Sequence, residues 1–170
     1  MKLFSSIKII LVCIFAVFNL FSTNNLIQNK QKKLSILVLP PYDEIANAGI
    51  SPNVSEIIEE NINDQGLSVI KFPFKKLMNV PYQNVFDKKF CKPILQKIKP
   101  DIIIMSKIDQ VNSSGTMETD KWNLRIKIYN VRKEVQKNSS LTADNLNPSE
   151  LQNFIKQNKE TLIKEIKNSH

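Results

Sequence analysis

The sequence predicts an α/β fold: a single domain of three-layer type with a mixed sheet, a parallel core extended by an antiparallel hairpin. Three observations predict it. Short apolar runs at 34–39, 67–72 and 101–106 are separated by helical or proline-punctuated segments. Strands apolar on both faces that alternate with helices pair in parallel and are covered on two sides. The segment 121–129 instead alternates apolar and polar residues, the mark of a half-buried strand that is usually antiparallel or at an edge.

The first element is a leader over about residues 1–25. Lys2 and Lys8 give it a positive end, and Ile9 to Phe18 is an unbroken apolar run that Leu20 and Phe21 extend. Polar Ser22 and Thr23 follow. This is the pattern of a secretory signal peptide, and export with cleavage is the expectation. The alternative is an uncleaved inner-membrane anchor. As a helix, Ile9 to Phe21 spans roughly 20 Å, short of the roughly 30 Å hydrocarbon core. Cys13 is preceded by Leu11 and Val12, whereas lipoprotein processing needs a small residue directly before the cysteine. Residues 26–33 are polar and lysine-rich and read as a tether to a domain at 34–168.

Within that domain, Leu34–Leu39 is a buried strand stopped by Pro40 and Pro41. The loop to Ile50 leads to Ser51 and Pro52, a good N-cap and first helical residue for a helix over 52–65 that Gly66 closes. Val54, Ile57, Ile58 and Ile62 form its apolar stripe. Leu67–Phe72 is the second strand. Pro73, Pro81 and Pro93 break the next stretch into short helical turns at 74–79 and 83–91 and a further helix that Pro93 can start, with Ile94, Leu95 and Ile98 inward; 83–99 together form a helical cover. Asp101–Ser106 is the third strand, and Asp101 caps or starts it. A polar loop over 111–119 leads to the alternating strand, a turn near 130–133 and a weaker return strand over 135–141. Asn147–Pro148–Ser149–Glu150 has capping-box spacing and opens a terminal helix over 148–167.

Composition excludes several chemistries. His170 is the only histidine, so a Ser–His–Asp or Cys–His site has no base in the body of the chain. Glycines stand only at 49, 66 and 115 and cannot form a phosphate-cradling loop. Cys91 is the only cysteine beyond the leader, too few ligands for a histidine–cysteine zinc site. Without a partner thiol it is a buried structural residue or the point of a mixed or intersubunit disulfide. No metal or cofactor is expected.

The net charge of +8 is unevenly spread. Asp43 to Asp64 holds six acids and no lysine or arginine; Lys71 to Lys92 holds six lysines against Asp87 alone. Phe72, Phe74, Tyr82, Phe86 and Phe90 interleave with those lysines. Lys75, Lys76, Tyr82, Lys88, Lys89 and Lys92 are therefore candidate partner-binding residues, for an unknown envelope protein or an anionic surface. The plain alternative is an aromatic core with a solvated lysine rim. Nucleic acid is disfavoured, because Arg125 and Arg132 are the only arginines and phosphate readers favour the guanidinium fork. A second candidate lies where ligands bind in open α/β sheets, beyond the strand carboxyl ends. Tyr42, Asp43, Glu44 and Asp109 fall there, and paired carboxylates would suit an enzyme if their environments split their pKa values.

Three motifs carry a resemblance. Leu37–Val38–Leu39–Pro40–Pro41–Tyr42 stands where a V-x-V-L-P-F strand begins a group of bacterial envelope domains. Asp101–Ile103–Ile104 matches its D-x-I-I-x-G strand, with Ser106 in place of glycine. Trp122–Leu124–Ile126–Ile128 matches its W-x-L-x-V-x-L-x-D strand, with Asn130 in place of aspartate. Residues 34–135 thus resemble the TolB amino-terminal (anticodon-binding-like) domain, the FlgO-like proteins and the curli-secretion lipoprotein CsgG with its relative LpoB. The resemblance implies an envelope location and protein–protein roles. The pore-forming role of CsgG is not implied, since no membrane-spanning hairpins or lipidated cysteine are evident.

The function expected is an exported, non-catalytic binding or assembly accessory of the bacterial envelope. The alternatives are a carboxylate-type enzyme and a membrane-anchored structural protein. Amino-terminal sequencing of the protein from cells tests the leader: cleavage predicts a start near Asn25, and recovery of Met1 identifies the anchor.

Overall fold

The computed structural model describes residues 33–43, 53–62, 64, 66–83, 85–112 and 120–170. The leader, all of the tether but Lys33, Glu44, the Ser51–Pro52 helix start and the polar loop at 113–119 lie outside them.

One six-stranded mixed sheet organises the domain. The strands are β1 (Leu34–Val38), β2 (Tyr42–Asp43), β3 (Leu67–Ile70), β4 (Ile102–Asn112), β5 (Lys121–Asn130) and β6 (Val135–Leu146). The order is β3-β1-β4-β5-β6, with β2 beside β4. β1 pairs in parallel with β3 and β4, while β4–β5 and β5–β6 are antiparallel. The predicted parallel core with an antiparallel extension is therefore present.

Alternation along β1 and β4 builds two cores. Ile36, Val38, Ile102, Ile104 and Ile108 point to one face, where they meet Trp122, Leu124, Ile126 and Ile128 of β5. Three helices cover that face: α1 (Val54–Asn61), α4 (Pro148–Gln157) and α5 (Lys159–Ser169). Leu37, Leu39, Ile103 and Met105 point to the other face, covered by the segment from Ile70 to Ile98. That segment holds only α2 (Phe74–Leu77), a 3-10 turn (Lys88–Phe90) and α3 (Lys92–Leu95). Burying each of these aliphatic side chains stabilises the fold by about 1.5–3 kcal/mol relative to exposure.

Several element boundaries differ from the sequence reading. α1 begins after Asn53, whose side chain accepts from the Glu56 amide, and it ends at Asn61 with Ile62 as its cap. Gly66 is not that cap: it lies in the turn before β3, where its amide donates to Asp64 and its carbonyl accepts from Leu34. Over 83–99 the helical cover is two short pieces, a turn and a helix restarted at Pro93, rather than one continuous helix. Asp87 is extended there and accepts from the Lys89 amide, which starts a fresh 3-10 turn, and Pro93 opens α3. The terminal helix is divided at Asn158, which leaves helical geometry and turns its side-chain amide onto the Phe154 carbonyl. The capping box of Asn147 and Glu150 is present as predicted. β4 and β6 run on to Asn112 and Leu146. β5 is paired on both sides, so among the described strands the edges are β3 and β6 rather than 121–129. Glu165 of α5 holds β6 down by accepting from Ser139 Oγ, Ser140 Oγ and the Ser140 amide. Burial pushes the Glu165 carboxyl up, but the bonds from Ser139 and Ser140 outweigh it and hold it below the usual carboxylate range.

Asp101 joins the strands at their entry end. It is 5% exposed. Its carboxylate accepts from the Ser35 amide at 2.9 Å and the Ser35 hydroxyl at 2.8 Å, and pairs with Arg132 at 2.6 Å. Its amide donates to the Ser35 carbonyl at 2.8 Å, and its carbonyl accepts from Val131 at 3.0 Å. Asp101→Ala would leave the Ser35 amide unpaired below the sheet. The expected loss is about 2–3 kcal/mol. Arg132→Ala, removing a half-exposed partner, should cost at most about 1 kcal/mol. Urea unfolding of both variants checks the ranking.

Candidate functional site

The segment 71–98 contains six phenylalanine, tyrosine and methionine side chains that the fold sorts into two sets. Phe72, Tyr82 and Phe86 are half-buried against the core of Leu77, Val85, Cys91 and Ile94. Phe74, Met78 and Phe90 are 61%, 78% and 53% exposed. The sorting is local. α2 is a single turn that drives Leu77 inward, so Phe74 and Met78, its neighbours on the turn, face out. Phe90 ends the 3-10 turn just before fully buried Cys91.

Three of these rings form one cluster. Phe72 and Phe74 meet edge-on with ring centres 4.7 Å apart, Phe72 and Tyr82 at 4.9 Å, and Phe74 and Tyr82 at 6.3 Å. Beside Tyr82 opens a groove of about 220 Å³ lined by Pro81, Gln83, Val85, Lys89, Phe90 and Pro93. Lys75, Lys76, Lys89 and Lys92 are exposed on the same layer. Lys89 Nζ lies 4.8 Å from the Phe90 ring centre. Lys88 is employed differently. Its amide donates to Gln136 Oε1 at 2.6 Å and its Nζ to the Glu134 carbonyl at 2.7 Å, fastening the 3-10 turn to the start of β6. Lys127 of β5 adds a second fastening, donating to the Phe86 carbonyl at 3.1 Å with its Nζ over the Phe86 ring. The backbone hydrogen bond from Lys89 holds the Asp87 carboxyl below the usual range.

The sequence grouped the aromatics with the lysines but did not identify Met78, Gln83 or the proline walls. A one-turn helix has no periodicity from which to read an outward methionine. The acidic helix α1 and the basic segment lie on opposite faces of the sheet: α1 belongs to the first core, and 71–98 to the second. On the first face Asp64 pairs with Lys167 at 2.8 Å.

The strand-end candidates come together only in part. Register places Tyr42 beside Lys107, and Lys107 Nζ lies 5.7 Å from the Tyr42 ring centre and 3.2 Å from Asp109. Asp43 pairs with Ile108, which faces the first core. Successive residues of a strand point to opposite faces, so register places Asp43 and Asp109 on opposite sides of the sheet. Of two further carboxylates near β4, Asp101 is occupied by Ser35 and Arg132, and Asp120 accepts from Gln110. Among the described residues, no group of three or more histidine, cysteine, aspartate or glutamate side chains could hold a metal ion.

No family model matches the chain, and no curated protein matches it. Solved structures do. A PelC variant from Paraburkholderia phytofirmans, solved as a dodecamer, is 6% identical, with a TM-score of 0.46 over 78% of this chain and 87% of that one. The lipoprotein GNA1162 from Neisseria meningitidis is 14% identical, with a TM-score of 0.44 over 79% of this chain and 99% of that one. The hypothetical protein CT253 from Chlamydia trachomatis is 13% identical, with a TM-score of 0.39 over 66% and 70%.

Cys91 settles between its two sequence readings on geometry. It is fully buried, with Sγ 3.8 Å from Met105 Sδ and 3.9 Å from the Asp87 carbonyl. Burial, helped by the Asp87 charge, pushes the thiol up to about 12. Such a thiol carries almost no thiolate at neutral pH and is unreactive. In a Cys13→Ser chain, a thiol-reactive dye should leave the native protein unlabelled and label it once urea unfolds it. Labelling before unfolding, or a disulfide-linked dimer, would contradict a structural role.

Proposed function

We propose that this chain is an exported protein of the bacterial envelope that works by docking a protein partner, not by catalysis. The docking surface is the apolar and basic face of residues 71–98. One observation carries the reading: Phe74, Met78 and Phe90 stand exposed on one covering layer, where Phe90 and Lys89 line a groove. Large apolar side chains grouped on a surface mark interaction sites, and aromatic anchors supply most of the energy of such contacts. A charged rim steers the approach and selects orientation. Export rests on the leader pattern of Lys2 to Thr23.

The carboxylate-enzyme alternative draws no support from the strand ends. A site of paired carboxylates needs both within reach of one bound substrate. Here register places Asp43 and Asp109 on opposite sides of the sheet, and Asp109 faces the Lys107 ammonium.

A photo-crosslinking residue placed at 74, 78 or 90 tests the proposal in living cells. It should give a discrete protein adduct. The same residue at Lys156, on the exposed side of α4, should give none. Absence of adducts at all three positions, or equal yield from 156, would remove the docking face.

A further inference from the structure

We infer that the partner presents an acidic segment whose apolar side chain seats in the groove between Pro81, Val85, Phe90 and Pro93. The inference rests on the docking proposal above and specifies the chemistry of what docks. Three features of the groove point to it.

The first is size. A space of about 220 Å³ is below the roughly 300–1,000 Å³ typical of small-molecule pockets. It suits one apolar side chain delivered by a longer segment that continues toward the cluster of Tyr82 and Phe74.

The second is rigidity. Val85 and Cys91 anchor the layer in the core, and the bonds of Lys88 to Gln136 and Glu134 fasten its 3-10 turn to β6. Lys127 fastens it again at Phe86. The walls are set before a partner arrives, so little ordering cost is left for binding. A concave, preformed seat is what a peptide side chain uses. A bilayer would engage only protruding side chains and gain nothing from the groove.

The third is charge. Lys89 lines the groove, Lys75, Lys76 and Lys92 are exposed on the same layer, and Asp87 is the sole acid between Lys71 and Lys92. One carboxylate against six lysines leaves the stretch from Lys71 to Lys92 with a net positive charge. Carboxylates flanking the apolar anchor would be attracted, and a neutral or basic segment would be disfavoured. No arginine lies in this segment to supply a bidentate fork, so phosphate-specific recognition has no residue to use.

Selection of a random twelve-residue peptide library on the immobilised full chain tests this. Lys75→Gln/Lys76→Gln/Lys89→Gln/Lys92→Gln and Phe90→Ser variants, shown folded by circular dichroism, serve as comparators. Enriched peptides should place Asp or Glu around a Leu, Phe or Met. A synthetic copy should bind at least tenfold more weakly to either variant and weaken further in 0.5 M salt. Enriched peptides without acidic bias, yet dependent on Phe90, would overturn the acidic chemistry and leave the docking face standing. No Phe90-dependent enrichment, together with no crosslinks from 74, 78 or 90, would overturn both. Sedimentation of the chain with phosphatidylglycerol vesicles, lost in the same variants while peptides fail to bind, would assign the face to anionic lipid instead.

Discussion

The carboxylate of Asp101 and the amide and hydroxyl of Ser35 meet across 66 residues of sequence, and the arrangement of the sheet follows from that meeting. The bond sets the register of β4 on β1 at the end where both strands begin. Through its carbonyl and Arg132, the same residue also fixes the β5–β6 turn. Three segments distant along the chain are thus aligned by one buried charge with its hydrogen bonds satisfied. A one-residue slip of β4 would exchange Ile102 and Ile104 with Ile103 and Met105, and so exchange the two cores. These four side chains are all apolar, so over the first half of β4 the polar contact supplies the discrimination; further along, the slip would also bring charged Lys107 and Asp109 to the face of Ile108.

From this register the two sides of the sheet develop differently. On the first side, long strands and regular helices share one extended core. On the second, the covering segment reaches only part of β4 and β5, and the core ends where Lys107 and Lys127 take over from Ile103 and Met105. Lys127 closes that margin by capping Phe86. The candidate docking face is the outer surface of this shorter layer. Its exposed aromatics result from packing five core side chains, Leu77, Val85, Cys91, Ile94 and Ile98, with elements of one turn each. A long amphipathic helix could have hidden both sides of the problem. Single turns cannot.

The sheet was legible because its information is local. LSILV, IIIM and WNLRIKI each state their burial in their own pattern. The misread boundaries are places where a side-chain bond decides. α1 opens at Asn53, whose side chain accepts from the Glu56 amide, as that of Asn147 accepts from Glu150 at the start of α4. The apolar spacing of Ile155, Leu162 and Ile166 continues across Asn158, so only the side-chain bond to Phe154 reveals the division. β6 outlasts its own weak alternation because Glu165 of α5 grips Ser139 and Ser140. Of the candidate site, the lysines and aromatics were readable as a composition. Which aromatics face out was not, because it depends on where the Asp87 cap and Pro93 restart the backbone.

The fastenings of Lys88 and Lys127 bear on how the molecule breathes. Layers built from single turns have few backbone hydrogen bonds of their own and open locally at lower free energy than the strands and helices they cover. The segment 71–98 is held by its buried side chains and by two lysines that clamp its rim to β5 and β6. It is therefore a separable cooperative unit resting on a more stable base. Amides of this layer would exchange with solvent ahead of those in β4 and β5. Any ligand seated across it would slow that exchange, turning the least protected part of the domain into a gauge of occupancy.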